Sequence, residues 1–291
     1  MIKLCGIVFR FHSLFAVVML LSLLTGYLVE AATLFTIVLI HELGHVMAAK
    51  AFGWKVKEVR LLPFGGVAEM DSQGKNRVSE ELAVSIAGPL QNVVMIVFAW
   101  GMRHFGVWGE QWSMFFIESN RLIILFNLLP ILPLDGGKIV QSVISLWAGY
   151  YRTLAVCLKA SMALSCAMIL VALLPLRTSG VQLNLAVVGC FLAYTNWCDL
   201  KNVHYVFLRF LFHRELHLAK NGKTGMRARP LAVTPEKKLQ QLVRSIHRPC
   251  YHFFYVVETT GELQGILTEN RVLHKYLTEF RPDSAVSELF R

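Results

Sequence analysis

The stretch TLFTIVLIHELGHVMAAK, residues 33–50, makes two demands that few folds meet together. Its apolar side chains must leave water, and His41, Glu42 and His45 need polar partners wherever they are placed. Runs of similar apolarity recur at roughly 7–29, 31–50, 82–102, 114–134, 154–175 and 181–200. Each is close to the ~20 residues with which a helix crosses a hydrocarbon core. The fold class that follows is an all-α polytopic membrane protein of about six transmembrane helices. Composition agrees, because 55% hydrophobic and 16% charged residues are too apolar a mixture for a soluble globule of 291 residues.

The first run continues to Val29 with no A-x-A cleavage site and reads as a retained helix rather than a removed signal peptide. Lys and Arg then fix the orientation. One side collects Lys3, Arg10, Lys50, Lys55, Lys57, Arg60, Lys75, Arg77, Lys138, Arg152, Lys159 and the basic tail; the other receives Arg103, Arg121 and Arg177. Both termini are therefore expected in the cytoplasm. The net charge of +10 is explained by loops and a tail facing anionic membrane lipid. Without a helix-turn-helix, zinc-finger or RNP-like pattern, it does not argue for direct nucleic-acid binding. The six cysteines are scattered without C-x-x-C spacing and read as small buried apolar residues.

Two histidines four residues apart project from one face of a helix, within reach of a single tetrahedral Zn²⁺. In the H-E-x-x-H arrangement the intervening carboxylate, Glu42, is placed to act as a general base on water acidified by the cation. Ionisable groups in mid-span cost a few kcal/mol each on insertion scales, so a metal site explains them better than chance. Two histidines leave zinc short of protein ligands. Asp135, in FNLLPILPLDGGKIV, lies at the end of a predicted span broken by Pro130 and Pro133, with Gly136 and Gly137 permitting irregular backbone. Its plain alternative is a helix-terminal turn residue. Alternating spans bring His41, His45 and Asp135 to the same cytoplasmic half of the membrane, which favours Asp135 as the third ligand.

The stretch VKEVRLLPFGGVAEM, from Val56 to Met70, reads equally well as a β-hairpin or re-entrant loop and as a plain cytoplasmic loop. AGPLQN at 87–92 reads as small residues serving close helix packing. HRELH at 213–217 sits in a charged stretch and reads as a solvated amphipathic helix near lipid, not a second metal site. Beyond Lys201 the pattern changes. Residues 201–225 form a linker, and 226–291 predict strand, turn, helix, strand, a turn around Thr260 and Gly261, strand and helix.

The stretches HELGH at 41–45, LLPFGGVAEM at 61–70, SIAGPLQNVV at 85–94 and NLLPILPLDGG at 127–137 resemble, in order, those of the site-2 intramembrane metalloproteases. The resemblance implies a transmembrane zinc protease domain over 1–200 in which one Zn²⁺ is bound by His41, His45 and Asp135. Glu42 would be the catalytic acid/base. Asn127, with Phe64, Gly65 and Gly66 of a hairpin that pairs with an extended substrate, would position the substrate segment. The likeness is greatest to the sporulation members of that family. It therefore implies that the substrate is the N-terminal pro-segment of a sporulation sigma-factor precursor of the sigma-K type, cleaved on the mother-cell side of the forespore outer membrane. It also implies inhibitory or regulatory membrane proteins as partners. Residues 226–291 resemble a single α/β CBS module, which implies an adenine nucleotide as ligand and homo-oligomer pairing through it, or else a docking domain without ligand. The rival reading is a membrane metal or ion transporter with a CBS regulatory domain.

Overall fold

The computed structural model describes residues 2–4, 7–11, 13–62, 65–71, 78–174, 182–221, 227–258, 261–279 and 283–290. The elements run β1 (Ile2–Leu4), β2 (Ile7–Phe11), α1 (Ser13–Thr25), α2 (Leu28–Ala51), β3 (Lys55–Leu62), β4 (Gly65–Asp71), α3 (Val78–His104), α4 (Glu110–Asn127), α5 (Asp135–Ile144), α6 (Tyr150–Leu173) and α7 (Leu183–Lys201). They continue as α8 (Val203–Asn221), β5 (Arg227–Val233), α9 (Leu239–Arg244), β6 (Cys250–Val257), β7 (Leu263–Thr268), α10 (Glu269–Glu279) and a 3₁₀ turn (Val286–Phe290). The chain divides into two compact units, the first holding residues 1–73, 79–140 and 161–194 and the second 74–78, 141–160 and 195–291.

Among the described residues three helices, α2, α3 and α6, are long and apolar enough to cross a membrane. Their exposed residues, such as Leu90, Val93, Val97 and Trp100 of α3, are those a bilayer tolerates at a helix surface. Three of the six expected spans are not among these three helices: the run 181–200 forms α7, and the other two differ in form. The run 7–29 begins as strand β2, which pairs in parallel with β3, Val8 opposite Glu58 and Phe11 opposite Leu61. The helix that follows has only 13 residues, about 20 Å of rise. It ends where Gly26, at a φ of 83°, lets Tyr27 N–H reach the Ser22 carbonyl. The run 114–134 is helical only to Asn127, and Asp135 opens the separate helix α5 instead of closing a span.

In the first unit the expected hairpin forms. β3 and β4 pair antiparallel from Lys55 opposite Asp71 to Leu62 opposite Gly65, with an irregularity between Val56 and Glu58. The sheet order is β1-β2-β3-β4, and β3 and β4 lie against α2. α2 turns into β3 through a Schellman ending. Gly53, at a φ of 73°, donates to the Lys50 carbonyl at 2.9 Å, and Trp54 N–H donates to Ala49 at 2.9 Å. The Trp54 indole N–H then reaches Glu80 in the first turn of α3 at 3.0 Å.

In the second unit β5, β6 and β7 form a three-stranded sheet, β5 parallel to β6 and β6 antiparallel to β7. The expected turn into β7 is closed by Glu258 N–H donating to Glu262 and by Gly261 at a φ of 89°. Leu239, Leu242, Val243, Phe254, Leu267, Val272 and Leu273 make its buried apolar core. The HRELH segment lies in α8 but is not simply solvated, because Arg214 within it is buried, as is Leu218 just after it. The Arg214 guanidinium pairs with Glu269 and donates to the Arg248 and Cys250 carbonyls. Glu269 also accepts from the His252 backbone N–H at 2.8 Å and its Nδ1 at 2.9 Å. Burial alone would raise the Glu269 carboxyl, but the His252 hydrogen bond and the Arg214 charge outweigh it and hold it below the usual carboxylate range.

A carboxyl depressed in the fold adds stability that is complete above its unfolded pKa and is lost as pH falls through the folded one. Glu269→Gln strands the buried Arg214 charge and is expected to cost on the order of 3–5 kcal/mol at neutral pH. The same variant should flatten the acid limb of the stability profile below about pH 4.5. Thermal unfolding of the full chain in detergent across that range checks both; a parental profile would show that the pair carries no weight.

Candidate metal centre

His41, Glu42 and His45 lie on the buried part of α2, with His41 and His45 one turn apart. Their ring centroids are 4.8 Å apart and nearly perpendicular. Asp135 arrives from the loop that follows α4. Ile131 N–H donates to Leu129 at 2.7 Å, Leu134 N–H donates to Ile131 at 2.9 Å, and Leu132 N–H donates to the buried Ser161 hydroxyl at 2.9 Å. These bonds satisfy backbone that has left the helical ladder. Gly136 and Gly137 serve this loop differently from expectation. They sit in the first turn of α5, and a Cβ on either would lie 2.1 Å from the Leu128 oxygen or 2.5 Å from the Ile131 carbonyl carbon. Their role is to let the helix press against the loop, not to bend the backbone.

Asp135 Oδ2 lies 3.1 Å from His41 Nε2 and 3.1 Å from His45 Nε2, and the two Nε2 atoms are 3.2 Å apart. The other ring nitrogens decide what these contacts are. His45 Nδ1 lies 2.7 Å from the Val84 carbonyl, which can only accept, so Nδ1 holds the proton and a neutral ring leaves Nε2 a bare lone pair. His41 Nδ1 lies 2.7 Å from the Asn92 amide oxygen, with the same result. Three lone-pair atoms therefore converge in a buried place. Donors about 2.0–2.1 Å from a tetrahedral zinc ion lie about 3.3 Å from one another, so the residues fit that ion. The Glu42 carboxylate is within 4.8 Å of the imidazole donor atoms. Asp135 Oδ1 turns toward Lys138 Nζ at 3.5 Å, leaving Oδ2 to the cluster.

The wall behind the imidazoles comes from the AGPLQN stretch of α3, whose part is larger than helix packing. Val84, Gly88 and Asn92 recur every four residues and face the two histidines. A Cβ on Gly88 would stand 2.2 Å from His45 Nε2 and 2.7 Å from His41 Nε2. Gly44 on α2 likewise has no room for a Cβ, which would meet the Ala87 oxygen at 2.8 Å. The sequence carried no separate signal of this, since a four-residue spacing marks one face of any helix. Of the other expected site residues, Asn127 closes α4 half-buried, Gly65 and Gly66 open β4 opposite Leu62 and Leu61, and Phe64 lies outside the described residues.

Gly88→Ala is expected to lower zinc affinity on the order of 100-fold, read by competition with a chromogenic chelator. Gly101→Ala, on the same helix with open space around it, is the control and should bind as the parent does. Equal affinity in both variants would mean that the space beside the rings is not needed.

The signature of Peptidase family M50 matches residues 29–110. Stage IV sporulation protein FB of Bacillus subtilis is 35% identical over 278 residues, 96% of this chain and 94% of that protein. A zinc metalloprotease of Methanocaldococcus jannaschii is 29% identical over 275 residues, 91% of this chain and 76% of that protein. The solved site-2 protease from the same archaeon superposes with a TM-score of 0.54 at 29% identity, covering 69% of this chain and 94% of that one. The transporter reading finds no support among these relatives. On the sequence match along nearly its whole length, the chain belongs to the M50 family of site-2 proteases and is a membrane zinc metalloprotease.

Proposed function

We propose that His41, His45 and Asp135 hold one zinc ion per chain and that Glu42 moves the proton in hydrolysis of a peptide bond of a membrane-associated precursor. One observation carries this reading: three lone-pair atoms within 3.2 Å of one another, with the Glu42 carboxylate in the same buried cluster. When bound, zinc supplies a Lewis acid that acidifies water and polarises a carbonyl. Glu42 accepts the proton of the attacking water and passes it to the leaving amine nitrogen. Asp135 neutralises part of the cation's charge, and the α2–α3 contact excludes other water from the pair of imidazoles. β4 ends its sheet among the described residues, and its outer edge is suited to pairing with an extended substrate strand. A helical peptide bond is shielded and must unwind before water can attack it. Asn127, Gly65, Gly66 and Phe64 are the residues assigned to that positioning.

The substrate of this reading is the pro-segment of a sporulation sigma-factor precursor of the sigma-K type, approached from the cytoplasm, where both termini lie. The relation to a B. subtilis protein named for sporulation supports it. Membrane proteins of the same sporulation complex would restrain the enzyme. The β-α-β-β-α order of residues 227–279 supports a CBS-like regulatory module that takes an adenine nucleotide and pairs between chains.

The test measures zinc content and precursor cleavage together on the purified full chain. Glu42→Gln should keep about one zinc per chain and lose on the order of 10²–10⁴ in cleavage rate; undiminished cleavage would sink the proposal. Asp135→Ala should lower zinc occupancy as well as activity, whereas full occupancy would place the third ligand elsewhere.

A further inference from the structure

The two imidazoles are held from behind by different kinds of group. The partner of His45 Nδ1 is the Val84 backbone carbonyl, which no substitution removes. The partner of His41 Nδ1 is a side chain, the Asn92 amide oxygen at 2.7 Å, supplied from α3 by a residue with no exposed surface. Asn92 Nδ2 has no hydrogen-bond partner among the described residues. An amide in this setting is costly to keep. Leaving one buried donor unpaired costs about 1–3 kcal/mol, and an apolar residue of similar volume would avoid that cost. Among the described residues, the contact with His41 is the hydrogen bond its side chain makes in return.

We infer that Asn92 is a positioning residue of the metal centre, its amide oxygen fixing the His41 tautomer and ring plane so that Nε2 presents a lone pair to zinc. The inference rests on the zinc assignment above. An acceptor behind Nδ1 confines the proton there, stops the ring turning about χ2, and makes Nε2 a stronger donor to a cation. Because the partner of His45 Nδ1 is backbone, Asn92 is where a side chain holds the far nitrogen of one of the two rings. The oxygen and the nitrogen of the amide make separable claims. Aspartate keeps an acceptor at the position and has no N–H, whereas leucine keeps the bulk and has neither.

The experiment compares the parent, Asn92→Leu and Asn92→Asp as full chains in detergent. Zn²⁺ affinity is read by chelator competition, the visible d–d bands after Co²⁺ substitution report ligand geometry, and thermal unfolding is measured on metal-free protein. Asn92→Leu should bind zinc about 10–100-fold more weakly with altered Co²⁺ bands. Its metal-free unfolding should match the parent's. Asn92→Asp should restore the affinity to within a few-fold of the parent. Parental affinity and bands in Asn92→Leu would overturn the inference, as would an Asn92→Asp protein as weak as Asn92→Leu, which would assign the role to Nδ2. If Asn92→Leu does not fold, tight binding by Asn92→Asp supports the oxygen and weak binding overturns it. A parent chain that binds no zinc would refute the zinc assignment itself, and the inference with it.

Discussion

Lone pairs on His41 Nε2, His45 Nε2 and Asp135 Oδ2 meet at 3.1–3.2 Å in a buried place, and they repel one another unless a cation lies among them. Much of the first unit is arranged around that encounter. α2 supplies both rings from a single face. α3 approaches closely enough for a backbone carbonyl and an amide to sit behind them, an approach that Gly44 and Gly88 permit by having no Cβ. The loop from Leu128 to Leu134 leaves the helical ladder, satisfies its own N–H groups, and delivers a carboxylate at the start of α5. A carboxylate in the first turn of a helix also sits well in the field of the backbone dipoles.

The depth of the site gives these contacts their weight. Each polar group in the cluster has been taken out of water, so each needs a specific partner, and the partners come from separate elements rather than from neighbours in sequence. His41 is 94 residues from Asp135 and 51 from Asn92. A site assembled this way depends on the tertiary fold being correct before any metal arrives. The sheet beside α2 is placed by the same logic, because the Schellman ending at Gly53 turns the chain directly from the histidine-bearing helix into β3.

The pair of histidines was legible because a spacing of four is itself a geometric statement on a helix, and the carboxylate between them fits one known chemistry. Asp135 was legible for a different reason: few acidic residues occur near the apolar runs, and the prolines before it announce a break. Asn92 and Gly88 were harder to read. A stretch of small residues in an apolar helix has packing as its ordinary explanation, and only the position of α3 against α2 turns the 84-88-92 period into a wall for the imidazoles. The N-terminal strand could not be read from IVFRF alone, since a short apolar run has no period that separates strand from helix. Its identity comes from pairing with residues some fifty positions later. In the second unit the strand and helix order was legible from turns and alternation, whereas the inward direction of Arg214 depends on a partner in another element.

That last partnership bears on how the chain is made. Arg214 lies on α8 and Glu269 follows 55 residues later, after the whole three-stranded sheet. A guanidinium can be taken out of water at little cost only once its carboxylate is present, so α8 must keep Arg214 hydrated while the ribosome extends the chain through β5, β6 and β7. The pairing of Arg214 is therefore complete only once Glu269, at the start of α10, is present. A chain that stops before it leaves the Arg214 guanidinium without its carboxylate.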